Sequence, residues 1–213
     1  ILPVRFGVYV QSAVRFNTYI GLAVVSALAA GSGAQMLAVI LAVCIPLVNV
    51  LSIVALLPKE QLRLGTVLLS VLKNPLVSSC VVGVAVNVLD IPLWQGLQQL
   101  LKLLATCSLT MGLLCVGAAL QFTQVKLNWR LVLLNSAWRL LCIPLLAWAM
   151  CAVFDLNVVA TQVLVIFFGL PTASASYILT KVLKGDAPLM ASIISVQTLL
   201  SLLTLPLLIF ITA

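Results

Sequence analysis

A long apolar run near the end of the chain is interrupted at residues 169–176, which read Gly169-Leu170-Pro171-Thr172-Ala173-Ser174-Ala175-Ser176. Proline lacks the backbone N–H and clashes with the preceding helical turn. In a bilayer, the carbonyl groups that it frees need a partner in a polar cavity or on a neighbouring helix. Pro171 lies near the middle of the run, so the stretch predicts a transmembrane helix that is broken about halfway across the membrane.

The composition supports a membrane protein. Of the 213 residues, 64% are hydrophobic and 7% are charged, whereas an ordinary soluble domain has about a quarter of its residues charged. This excludes a soluble enzyme, a nucleic-acid-binding protein and a disordered tail, and the basic residues behind the net charge of +7 are scattered rather than clustered. The apolar runs are continuous and do not alternate as in a membrane barrel. We therefore predict an all-α polytopic membrane protein.

The breaks between apolar runs divide the chain into transmembrane spans. A transmembrane helix needs about 20 apolar residues, so the chain has room for about seven spans. We predict spans one to seven at 7–31, 34–57, 66–89, 93–121, 129–154, 158–184 and 187–212.

Charged residues predict the orientation. Three connections, at Gly31–Gly33, Asp90 and Asp155, carry neither Lys nor Arg. The positive-inside rule makes the opposite, basic side cytoplasmic and places Ala213 on the outer side. The basic side carries Arg5, Arg15, Lys59, Arg63, Lys73, Lys126, Arg130, Lys181 and Lys184, together with Glu60 and Asp186.

A weak internal repeat relates spans one and two to spans six and seven. A shift of 154 positions places Asn17 on Pro171 and Gly31 on Gly185. Because the Gly31 turn is predicted outside and the Gly185 turn inside, the two copies have opposite topology. Inverted repeats with broken helices are typical of secondary transporters.

The repeat also predicts the domain organisation. Residues 1–57 end a first inverted repeat, 58–73 form a cytoplasmic linker, and 74–213 form a second, five-helix repeat. A matching first repeat needs about three more helices before span one. We expect a ten-helix architecture whose N-terminal helices are missing here, or a naturally shortened relative.

The two breaks predict a substrate site. Helices broken at one depth direct positive N-terminal ends at a small volume, which suits an anion. Thr18, Thr172, Ser174 and Ser176 offer hydroxyl donors, and Phe16 or Tyr19 offers an apolar wall. The predicted substrate-binding residues are Asn17, Thr18, Pro171, Thr172, Ser174, Arg139 and Arg15.

Polar residues within the spans have two interpretations. An unpaired Arg at the bilayer centre costs at least ~2.5 kcal/mol, so Arg139 should face either a cavity or a structural partner. Arg15 either attracts an anion or anchors its helix at the headgroups. Gln11 and Gln197 favour interhelical hydrogen bonds, and Lys102 favours extension to the membrane surface.

Catalysis and bound metals are not expected. The chain has no histidine and no paired in-span carboxylates, and its six cysteines form no Cys-x-x-Cys motif. Proteolysis, prenyl transfer and metal binding each need such groups. We therefore predict no catalytic residue, no metal site and no cofactor.

Several segments together resemble the auxin efflux carrier family, particularly its bacterial members, and their order and spacing are similar along essentially the whole chain. The resemblance rests on Arg-Phe-Asn-Thr-Tyr-Ile-Gly-Leu at 15–22, Asn-Pro-Leu at 74–76, Leu-Pro-Thr-Ala at 170–173, Gly185-Asp186 and Leu-Thr-Leu-Pro-Leu at 203–207. The chain corresponds to the last two-thirds of a typical member. Plant auxin exporters carry Pro-Asn at the first crossover, and Phe16 stands in place of that proline, so the first break should be the milder one.

The resemblance implies a ten-helix fold of two inverted repeats and the transport of small organic acids by alternating access, without nucleic-acid partners. We expect a bacterial inner membrane and, as one option, a homodimer. Because the sequence has no nucleotide site, transport should draw on a gradient, by uniport or with a proton or sodium ion as the coupling ion. A non-transporting receptor, a structural subunit and a channel remain alternative functions.

Overall fold

The computed structural model describes residues 3–29, 31–56, 65, 69, 75–118 and 125–212. The described residues form helices and turns. The helices are α1 (Pro3–Val14), α2 (Thr18–Leu28), α3 (Ser32–Leu56), α4 (Pro75–Val88), α5 (Gln95–Ala118), α6 (Val125–Ala137), α7 (Ile143–Val153), α8 (Val158–Gly169), α9 (Ala175–Val182) and α10 (Ala187–Thr212).

Spans one and six are broken where the sequence predicts. Three non-helical residues, Arg15–Asn17, separate α1 from α2, and a longer segment from Leu170 to Ser174 separates α8 from α9. The first break is the shorter of the two, as the replacement of a proline by Phe16 predicts. Pro46 and Pro206 lie inside the continuous helices α3 and α10, so a proline alone does not break a helix here.

Predicted turns coincide with left-handed backbone. Gly31 has φ 87°, and Asp90 and Asp155 have φ 47° and 50°. Glycine adopts this region without steric cost, and Asp tolerates it better than most residues because its short side chain can hydrogen-bond locally. Each of these residues therefore ends one helix and allows the chain to reverse.

Among the residues that the structure describes, four helices are long and apolar enough to cross a membrane: Ser32–Leu56, Gln95–Cys115, Trp129–Val153 and Ala187–Thr212. Spans one and six do not meet this length criterion because each is divided into two short helices. For span three, the structure describes one helix, Pro75–Val88, and residues 65 and 69. The all-helical, polytopic class that the sequence predicts is confirmed.

The two broken helices run in opposite directions. Asp186, just before α10, pairs with Arg5 in α1 through Nε and Oδ2 at 3.2 Å. At the other end of α10, the Thr212 carbonyl accepts a hydrogen bond from Gln162 Nε2 of α8 at 3.2 Å. Helix α1 therefore begins beside the start of α10, and α8 begins beside its end. This arrangement agrees with the alternation of connections that the charges predict, whereas the choice of cytoplasmic end stays a prediction.

A π-helical turn, Trp138–Cys142, joins α6 to α7 into one long helix. Pro144 follows it and has no N–H to donate to the Leu140 carbonyl, and the Ile143 N–H bonds instead to the Trp138 carbonyl five residues back.

The core surrounds the breaks. One cluster joins α2, α3, α8 and α10, where the rings of Phe16 and Phe167 lie 4.6 Å apart at their centroids. A second cluster joins α1, α6 and α10. Helix α10 contributes to both clusters and holds the two broken helices in one packed unit.

Part of the predicted linker lies outside the described residues. This applies to Lys59, Glu60, Arg63 and Lys73, and to Asn74 at the predicted start of span three. The division into repeats at 1–57 and 74–213 therefore stays a prediction.

Candidate functional site

The two breaks meet. The backbone N–H of Asn17 donates to the carbonyl oxygen of Pro171 at 2.8 Å. These are the two positions that the 154-residue shift superimposes, so matched residues of the repeat are in contact. A reciprocal bond cannot form because Pro171 has no N–H. The prediction that spans one and six approach each other at Asn17 and Pro171 is confirmed.

Asn17 is the N-cap residue of α2. Its Oδ1 accepts hydrogen bonds from the N–H groups of Tyr19 at 3.1 Å and Ile20 at 3.2 Å. This is the arrangement that favours Asn at a helix N-cap. The Nδ2 atom of the same side chain is buried and has no hydrogen-bond partner among the described residues. One end of the amide therefore holds the helix and the other is free to donate.

A cavity of about 290 Å³ lies beside the crossover. The first turns of α2 and α9 line this cavity, and residues of α3 and α5 complete its lining. Four of the predicted substrate-binding residues line it, namely Arg15, Asn17, Thr18 and Ser174. The full lining is Arg15, Phe16, Asn17, Thr18, Tyr19, Ile45, Val48, Asn49, Ser108, Ala173, Ser174 and Ala175.

Arg15 contributes a full positive charge to this cavity. Its side chain is 6% exposed, and Nη1 has no hydrogen-bond partner in the part of the chain that the structure describes. A buried guanidinium without a partner carries a large desolvation cost. Arg15 therefore lies in the wall of the cavity, and its role there stays a prediction.

Thr172 does not line the cavity. Its hydroxyl lies 2.8 Å from the Ser12 carbonyl oxygen and 2.7 Å from Gln197 Oε1, and its N–H donates to the same Oε1 at 2.9 Å. Gln197 Nε2 in turn donates to Asn135 Oδ1 at 3.1 Å. This buried network ties the second break to α1, α6 and α10. The predicted interhelical role of Gln197 is confirmed.

Gln11 also makes an interhelical bond, as predicted. Its Nε2 donates to Thr180 Oγ1 at 2.8 Å. Lys102 is exposed on α5 and is not part of the cavity. Ser176 is buried outside the lining.

Arg139 lies outside the lining as well and bonds to the backbone at the end of α1 and in the second break. Its Nε donates to the Leu170 carbonyl oxygen at 3.1 Å and its Nη1 donates to that of Ala13 at 2.9 Å. The side chain is 3% exposed. Of its two interpretations, the structural partner is the one that the geometry favours.

Sequence reasoning missed two polar residues of the lining, Asn49 of α3 and Ser108 of α5. Asn49 Nδ2 donates to the Ile45 carbonyl at 2.9 Å, and Oδ1 is buried without a partner among the described residues. The available signal was an amide inside the apolar run of span two. Gly112 allows α5 to approach Tyr19 of α2, because a Cβ atom at this position would lie 2.4 Å from the Tyr19 ring.

The electrostatic character of the cavity is positive. The N-termini of α2 and α9 and the guanidinium of Arg15 lie at the cavity, and none of the lining residues is acidic. Each helix N-terminus is equivalent to about half a positive charge. The available donors are Arg15 Nη1, Asn17 Nδ2 and the hydroxyls of Thr18, Ser108 and Ser174. This donor-rich site is suited to an anion.

A membrane-embedded chain with two antiparallel broken helices that cross beside a cavity with an apolar wall and several polar donors has the architecture of a polytopic membrane transport protein. A family model described as "Membrane transport protein" matches residues 60–209. The match covers more than half of the chain, which therefore belongs to this family, the auxin efflux carrier family that its motifs resemble. Comparisons with curated proteins and with solved structures gave no match.

Proposed function

We propose that this protein is a secondary carrier that moves a small organic anion, a mono- or dicarboxylate, by alternating access through the crossover cavity. The observation that carries the proposal is the pair of buried, unpartnered donors Arg15 Nη1 and Asn17 Nδ2 in a cavity whose lining has no carboxylate. Two donors at one wall suit the two oxygens of a carboxylate.

The charge of the cavity supports one or two carboxylates in the substrate. The N-termini of α2 and α9 together amount to about one positive charge, and Arg15 adds another. A neutral or cationic substrate leaves that charge unbalanced in a low-dielectric site. Phe16 and Tyr19 offer an apolar surface to the carbon skeleton.

In this proposal, the predicted substrate-binding residues form two groups. Arg15, Asn17, Thr18 and Ser174 contact the substrate, whereas Pro171, Thr172 and Arg139 hold the crossover in shape. This division assigns direct binding to fewer residues than the sequence predicts. The Thr172 hydroxyl and two N–H groups of Arg139 are bonded to the backbone near the crossover, and neither residue lines the cavity.

Transport draws on a gradient in this proposal. We infer alternating access from the inverted repeats at 1–57 and 74–213, joined by the cytoplasmic linker at 58–73. The sequence has no nucleotide-binding motif, so uniport, proton coupling and sodium coupling are the options. Because none of the predicted spans contains a carboxylate, a coupled proton would be carried by the substrate or by a group outside these spans. We place the protein in a bacterial inner membrane with Ala213 on the outer side.

The test is uptake by the intact carrier in proteoliposomes, with a panel of mono- and dicarboxylates and imposed proton and sodium gradients. We expect saturable uptake that needs no ATP and that falls in Arg15→Gln. The matched control is Arg130→Gln, which removes an exposed guanidinium from α6. A preference for cations, ohmic conductance, or binding without uptake contradicts the proposal and indicates, respectively, a cation carrier, a channel or a receptor.

A further inference from the structure

The C-terminal ends of α1 and α8 present carbonyl groups at the crossover. Helix α1 ends at Val14 and α8 ends at Gly169, and each C-terminus is equivalent to about half a negative charge. Together they amount to about one negative charge inside the membrane. In carriers with unwound helices, such carbonyls and helix ends coordinate a coupling cation.

In this protein Arg139 bonds to the carbonyl groups at both of these helix ends. One guanidinium donates to the Ala13 carbonyl from the end of α1 and to the Leu170 carbonyl just after α8, at 2.9 and 3.1 Å. Its single positive charge equals the summed charge of the two helix ends. In the described part of the chain, no carboxylate forms an ion pair with Arg139, and the observed pair joins Arg5 to Asp186.

The helix that carries Arg139 is adapted to hold it there. The π-helical turn Trp138–Cys142 contains Arg139, and Pro144, which has no N–H to donate to the Leu140 carbonyl, follows it. π-Helical turns occur often at functional sites. Arg139 itself is 3% exposed, so its guanidinium is enclosed at the crossover.

We propose that Arg139 is a positioning residue that acts as a built-in cation at the crossover, in the place that a bound sodium ion takes in sodium-coupled carriers. The crossover of this protein therefore keeps its geometry without sodium, and transport by this protein is independent of sodium. The structural part of this inference stands on the crossover alone, and its transport part rests on the proposed function.

Thermal unfolding of the purified intact protein tests the structural part. We expect the Tm of the wild type to be equal in sodium and choline chloride. We expect Arg139→Ala to lower the Tm and to recover part of it in guanidinium, at concentrations too low to unfold the wild type, or in sodium. Arg139→Lys keeps the charge, whereas Arg139→Gln keeps hydrogen-bond donors without the charge. We therefore expect a smaller decrease in Tm in Arg139→Lys than in Arg139→Gln.

The control is Arg130→Ala, on the same helix, where the guanidinium is exposed and lies 5.3 Å from the centre of the Trp129 ring. Its Tm should not respond to guanidinium or sodium beyond the wild type. A sodium-dependent Tm of the wild type overturns the inference, as does an equal response of Arg139→Ala and Arg130→Ala to both cations. If Arg139→Ala does not fold, the order of Arg139→Lys and Arg139→Gln and the wild-type comparison decide.

Uptake tests the transport part. Organic-anion uptake by the wild type should have the same rate when choline replaces sodium on both sides of the membrane. A loss of uptake without sodium overturns the inference but leaves the proposed function intact. Absence of any organic-anion uptake contradicts the proposed function, and the unfolding measurements then still decide the role of Arg139.

Discussion

The N–H of Asn17 donates to the carbonyl of Pro171 across 2.8 Å, joining equivalent positions of two helices that run in opposite directions. Around this bond the polar groups are divided. Carbonyl ends of α1 and α8 are bonded by Thr172 and Arg139, whereas the first turns of α2 and α9 line the cavity with Arg15. Thr172 and Arg139 therefore stabilise the crossover, whereas Arg15 and the first turns of α2 and α9 are placed to bind a substrate.

Two threonines near the crossover should respond differently to loss of the hydroxyl. Thr172→Val removes the donor to the Ser12 carbonyl and should destabilise the protein by about 1–3 kcal/mol, because a buried acceptor loses its partner. Thr18→Val, in the cavity wall, should change substrate affinity with little loss of Tm. Thermal unfolding and substrate binding measured on both variants check this. Equal losses of Tm would contradict the assignment of Thr172 to support.

Gly112 should control the width of the cavity. A Cβ atom there meets the Tyr19 ring at 2.4 Å, whereas a Cβ at Gly117 on the same helix meets nothing within 4 Å. Gly112→Ala therefore forces Tyr19 or α5 to move and should lower the rate of uptake several-fold, and Gly117→Ala is the matched control. Uptake rates that are equal for the two variants would show that the α5–Tyr19 contact has no part in transport.

A negative charge in the cavity should oppose an anion. Ser108→Asp adds a carboxylate to the lining, and we expect a larger loss of affinity for dicarboxylates than for monocarboxylates because the repulsion scales with substrate charge. Thr106→Asp, on the same helix but outside the lining, is the control. Tighter binding of the anion to Ser108→Asp than to Thr106→Asp contradicts a positive site.

The predicted orientation can be checked by labelling cysteines introduced into a cysteine-free background. Gly31→Cys, in the turn with φ 87°, should react in intact cells with a reagent that does not cross membranes. Lys184→Cys, exposed before α10, should react after the membrane is opened. The opposite pattern reverses the orientation and leaves the fold unchanged.

Much of the fold follows from the sequence because apolar runs and their breaks determine where helices cross the membrane. The limits of α10 equal those of span seven, 187–212, and the breaks at Asn17 and Pro171 follow from polar residues and a proline in apolar runs. The sequence does not indicate the π-helical turn before Pro144, since a proline can also lie within a continuous helix, as Pro46 does.

The site was less predictable than the fold. The sequence indicates which residues lie at the crossover depth but not which acceptor each donor reaches. Thr18 and Thr172 have the same chemistry at repeat-related positions, yet one lines the cavity and the other is bonded in the core. Asn49 joins the site through the packing of α3, which no periodicity within a uniformly apolar run reveals.

The central claim is that the crossover cavity binds an organic anion through donors that are free in the folded protein. The most direct measurement is calorimetric binding of mono- and dicarboxylates to the purified wild type and to Asn17→Asp. Asp retains the oxygen that caps α2, so the Tm should stay close to that of the wild type. It replaces the free Nδ2 donor by a charged oxygen.

Asn17→Ala provides the neutral comparison, with the loss of both the cap and the donor. We expect saturable carboxylate binding to the wild type, a loss of about 1–2 kcal/mol in Asn17→Ala, and a greater loss in Asn17→Asp at nearly unchanged Tm. Unchanged carboxylate affinity in a folded Asn17→Asp, or a preference of the wild type for cations, would contradict the account.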